Sequence, residues 1–132
     1  MKNRNNEQVV CDFIEMTMNL RTLVKHENAI ILQKGEFKDY KLISKKIQLL
    51  KFFSEEAPKI MDMSRQSEDI SDFLKRMLVD VLRDVRHHLK INTNLQIAGM
   101  KKCLERIERV ENIRTSIIGG IQTDGDGWES CH

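Results

Sequence analysis

The sequence predicts an all-α fold: an antiparallel helical hairpin, a long third helix completing a three-helix, coiled-coil-like bundle, and a disordered C-terminal tail. Three observations carry that expectation. First, the 132 residues are 40% hydrophobic and 32% charged, with 5% aromatic and one proline. Such a composition suits long helices with a narrow apolar seam better than a sheet. Second, apolar residues recur every three or four positions on both sides of Gly35: Leu20, Leu23, Ile30 and Ile31 before it, and Phe37, Tyr40, Ile43, Ile47 and Leu50 after it. Third, a stripe of similar spacing runs from Ile70 to Ile117 and stops at Gly119-Gly120.

The first helix is expected over about 7–34. Asn5 or Asn6 is placed to cap it, with Glu7 in its first turn. Its seam reads Val9, Val10, Phe13, Met16, Leu20, Leu23, Glu27, Ile30, with a carboxylate inside an otherwise apolar heptad pattern. Lys34 and Gly35 are stop signals. The second helix is expected over about 36–56, ending before Pro58, which forbids an unbroken ladder of hydrogen bonds. Ser67, followed by Glu68 and Asp69, is a good cap for a third helix over about 67–118. Ile91-Asn92-Thr93-Asn94 and Gly99 have low helix propensity, so a kink is expected between 91 and 99. Together 1–120 form a single helical domain. The tail 121–132 is too polar and too rich in glycine to order itself.

Charge and cysteine content limit the partners. With 22 basic and 20 acidic residues the formal net charge is +2, which makes no case for nucleic acid or an anionic membrane. Three dispersed cysteines, Cys11, Cys103 and Cys131, read as reduced thiols of a cytoplasmic protein. No signal peptide is expected in MKNRNNEQ, and no apolar run approaches the ~20 residues of a membrane span. Lys75, Arg76, Arg83, Arg86 and Lys90 alternate with Asp72, Asp80 and Asp84, the pattern of a solvated, salt-bridged face.

At the hairpin, Glu27, Ile30-Ile31-Leu32, Gly35-Glu36, Phe37, Leu42-Ile43, Lys46 and Leu49-Leu50 together resemble the signature of the FlgN-type flagellar export chaperones. The chain departs from that family in carrying Pro58 near the end of the second helix, and in having less leucine and alanine. The resemblance implies a small cytoplasmic bacterial chaperone of the flagellar type III export system. Such a protein holds hook–filament junction proteins unassembled and delivers them to the export gate and its ATPase components. It implies further that the client's terminal amphipathic helix packs on the C-terminal helical region. Carried over by position, that region is about Leu95 to Ile118 and offers Leu95, Met100, Leu104, Ile107, Ile113 and Ile117.

Independently of the resemblance, nothing else in the chain is long enough to cover a third helix of ~75 Å throughout. An uncovered apolar stripe calls for a partner, either a client helix or a second copy. A self-associating coiled-coil scaffold is therefore the alternative to a chaperone, which would itself be a monomer or a weak homodimer. Glu27 and Lys46 lie at comparable distances before and after Gly35, so an antiparallel hairpin brings them level as a register-fixing ion pair.

Asp84 and His88, four residues apart, make one conceivable metal-binding pair, but no residue, His26 and His87 included, is placed as a third ligand, and no nucleophile–base pair or phosphate loop is present. Neither enzymatic activity nor a cofactor is expected. The methionines Met16, Met18, Met61, Met63, Met77 and Met100 suit gap-filling or a receiving surface. Trp128, in the acidic tail, is a candidate docking motif.

Overall fold

A computed structural model describes residues 5–121, with side chains as far as 119. The described residues form three α-helices and no strand: α1 (Asn6–Lys34), α2 (Tyr40–Gln66) and α3 (Asp72–Ile121). By their contacts they divide into two units, one ending at Leu95 and one beginning at Gln96. The first holds α1, α2 and the beginning of α3. The second holds the remainder of α3, where a single domain over 1–120 was expected.

Local chemistry sets the helix ends. Asn5 caps α1 by accepting the Gln8 N–H at 2.7 Å. Gly35 ends it in the left-handed region (φ 87°), donating its N–H to the Ile31 carbonyl at 2.7 Å. The corner is longer than the sequence suggested: α2 starts at Tyr40, where the Asp39 carboxylate accepts the Leu42 N–H at 3.2 Å.

Nor does α2 stop before Pro58. It continues to Gln66 because Ala57 and Ile60, on either side of the proline, are both buried. Ser54 and Pro58 are exposed, so the carbonyl that loses its donor lies where water can reach it. Ser67 ends α2 and does not start α3; its N–H donates to the Met63 carbonyl. Ser71 caps α3, its hydroxyl accepting the Leu74 N–H at 3.2 Å.

In the first unit α1 and α3 run parallel, with α2 antiparallel between their ends. Cross-links keep a nearly constant offset along the chain. The Glu7 carboxylate accepts the Ser71 N–H at 2.9 Å, Arg21 donates to Asp84 at 2.7 Å, and Asn92 donates to Asn28 at 2.8 Å. At the start of α1, Asn6 donates to the Ser67 hydroxyl at 3.0 Å.

The core draws on all three helices but differs in register from the sequence reading. In α1, Ile14 and Val24 are buried beside Val10, Phe13 and Leu20. In α2 the buried face is Lys46, Phe53, Ala57, Ile60 and Ser64, whereas Tyr40 and Ile47 are exposed. In α3 it is Leu74, Leu78, Val81, Leu82 and Val85, with Phe73 and Met77 turned outward. Phe13 and Phe53 stack at 5.9 Å between ring centroids. Residues 91–99, expected to be a weak point, are helical, and α3 is continuous from Asp72 to Ile121.

Candidate functional site

Two places carry the residues singled out from sequence: a buried polar layer in the first unit and an exposed apolar stripe in the second. The layer is built around Glu27 and Lys46. Lys46 Nζ lies 2.8 Å from Glu27 Oε1, with both side chains at least nine-tenths buried. Lys46 also donates to Asn92 Oδ1 at 3.3 Å. Asn92 in turn donates to Glu27 Oε2 at 2.9 Å and to Asn28 Oδ1 at 2.8 Å. Asn28 Nδ2 closes the network on the His88 carbonyl at 3.1 Å.

Four polar side chains from three helices thus satisfy one another, the condition under which a buried charge pair is tolerable. Gly35 makes the corner between two of those helices. Its added Cβ would meet nothing within 4 Å, so its positive φ is the reason for glycine there. The sequence reading missed Asn28 and Asn92. Asn92 read as a weak point for the helix, yet its amide is a central member of the layer. Only its position, level with Glu27 in a three-helix arrangement, could have marked it.

Along α1 and α3 a second polar contact lies nearer the surface. Arg21 donates to Asp84, and His88 Nε2 is 3.4 Å from the same carboxylate. The hydrogen bond from Arg21 holds the Asp84 carboxyl below the ordinary carboxylate range. The charges of Arg21 and His88 add to that, and partial desolvation opposes it. Asp69 is likewise lowered, by hydrogen bonds from Ser67 and then Asn6. His26 stands edge-on to Phe37 at 5.6 Å. Among the described residues no group of three His, Cys, Asp or Glu is arranged to hold a metal ion. No described helix is long and apolar enough to cross a membrane.

The second unit has a different character. None of its described residues from 96 to 119 is buried. Met100, Leu104, Ile107, Ile113 and Ile117, all named from sequence, are 53–65% exposed. Ile97 and Val110, which the site reading omitted, are equally bare at 56% and 55%. Leu95 does not join them; it is half-buried and belongs to the first unit. In the first unit Phe52 is exposed next to the buried Phe53 and Phe73 next to the buried Leu74, while Leu32 and Tyr40, near the corner, are bare. Trp128 and the tail from 122 onward lie outside the described residues, and Ile121 ends α3.

No family model, curated protein or solved structure matches the chain.

Proposed function

We propose that the chain is a chaperone that captures the amphipathic terminal helix of a client on residues 97–117, and that it belongs to the flagellar type III export system of the bacterial cytoplasm. One observation carries the binding half of this reading. Eight large apolar residues lie between 96 and 119; seven of them are more than half exposed, and Ile118 is partly covered. A soluble protein leaves that much contiguous apolar surface bare where another molecule covers it. At helical spacing the natural cover is another amphipathic helix.

The flagellar half rests on the hairpin pattern from Glu27 to Leu50. Two of its polar positions, Glu27 and Lys46, lie in the buried layer, which gives them a physical reason to be those residues. In this reading the clients are hook–filament junction proteins, handed on to the export gate and ATPase components. The protein acts by covering a sticky helix, with no chemistry of its own.

The test is co-expression with candidate junction proteins, followed by size-exclusion chromatography. A defined complex is expected, and Leu104→Asp with Ile107→Asp should abolish it while the helical signal of the first unit is unchanged. A tight oligomer of the chain alone, broken by the same two substitutions and with no client bound, would instead favour a coiled-coil scaffold.

A further inference from the structure

We infer that the occupant of 97–117 is an amphipathic helix with acidic residues beside its apolar seam, and is not a second copy of this chain. This rests on the reading of 97–117 as a helix-receiving surface and adds the chemistry of what it receives.

The heptad register supplies the argument. Ile97, Leu104, Val110 and Ile117 take the a positions, and Met100, Ile107 and Ile113 the d positions. The step from Ile107 to Val110 is three where four is regular, which overwinds the seam locally. The flanking e positions are then Lys101, Glu108 and Arg114, and the g positions Gln96, Cys103, Arg109 and Ser116; all seven are exposed. These are the residues that choose a partner and its direction.

A second copy is a poor partner in either direction. In a parallel pair each g residue faces an e residue of the other helix in the next heptad. Gln96 would face Lys101, Cys103 would face Glu108, and Arg109 would face Arg114. In an antiparallel pair e faces e, so Lys101 would meet Arg114 and Glu108 would meet its own copy. In these end-matched alignments every charged pair formed is of like sign, and an antiparallel shift that sets Glu108 against Lys101 or Arg114 leaves part of the stripe uncovered.

A helix carrying acids opposite Lys101, Arg109 and Arg114 pairs three of the four flanking charges. The contact between Arg114 and Glu111, at 3.7 Å and fully on the surface, is too weak to withhold that arginine. Glu108 within the flank, with Glu105 and Glu111 nearby, disfavours an anionic bilayer as the cover.

Two synthetic helices as long as the stripe, sharing one leucine seam, make the test. One carries glutamate at every flanking position and the other lysine. Each is titrated into the full chain and followed by fluorescence anisotropy. The glutamate helix is expected to bind roughly tenfold more tightly at low ionic strength, the sum of three weak exposed pairs, with the margin shrinking as salt is added. Arg109→Glu with Arg114→Glu should reverse the preference.

Equal binding of both helices overturns the inference and leaves the receiving surface standing, and a preference of the unaltered chain for lysine does the same. So does a homodimer that the glutamate helix cannot displace, or tighter binding to phosphatidylglycerol vesicles than to either helix. If neither helix binds, the receiving surface itself is refuted.

Discussion

Lys46 and Glu27 carry opposite charges into the buried interior of the first unit, where each depends on the other and on Asn92. Removing one member strands the rest. Lys46→Met should destabilise the first unit by about 3–5 kcal/mol, because it leaves the Glu27 carboxylate buried and uncompensated. Asn92→Leu should cost about 1–3 kcal/mol through the partners it orphans. Combining Lys46→Met with Glu27→Met should recover much of the first loss, since the pair as a whole is worth little against apolar packing. Urea unfolding midpoints of the three variants measure this, and a double variant no better than the single one would refute it.

Asp84 makes a smaller, pH-dependent contribution at the same scale. Its folded carboxyl titrates below the ordinary value of 3.8. Its stabilisation is therefore present above that value and is lost as pH falls through the lower folded one. With both partners partly exposed it amounts to no more than about 1 kcal/mol. Asp84→Asn should accordingly be less stable than the parent at pH 7, with the gap closing in acid.

At the scale of the helix, two glycines with empty space around them should respond in opposite ways to alanine. Gly35 is in the left-handed region, so Gly35→Ala should cost about 1 kcal/mol and loosen the corner between α1 and α2. Gly99 sits in a regular, exposed turn of α3. Gly99→Ala should therefore favour that helix by about 0.5–1 kcal/mol. Thermal melts followed by circular dichroism distinguish the two signs. The continuity of α3 across 91–99 belongs to this scale as well. The low intrinsic propensity of Asn92 is outweighed once its amide has three buried partners, a compensation that no local scale of propensities contains.

Over the whole molecule, buried core and bare apolar surface are segregated along the chain. Among the described residues the buried hydrophobic ones all fall between Val10 and Val85, whereas the bare stripe begins at Ile97. A chain ending at Leu95 should therefore unfold at nearly the same urea concentration as the full chain. A midpoint lowered by more than the equivalent of about 1 kcal/mol would show that the second unit contributes to the first, contrary to this division.

Much of this was readable in the chain before any coordinates. Helical class, three helices, the corner at Gly35 and the pairing of Glu27 with Lys46 all follow from spacing and end signals, which act over a few residues. The apolar stripe from Met100 to Ile117 was legible in the same way. Other features depended on neighbours from distant parts of the chain. The passage of α2 through Pro58 needed Ala57 and Ile60 to find a core. The core faces of α2 and α3, turned away from Tyr40, Ile47 and Phe73, depended on which surfaces the other helices offered. Asn92 became a structural residue only when Glu27, Asn28 and Lys46 met it. Sequence periodicity determines that a helix has an apolar face; only the packing of helices against one another decides which part of that face is covered and which is left bare.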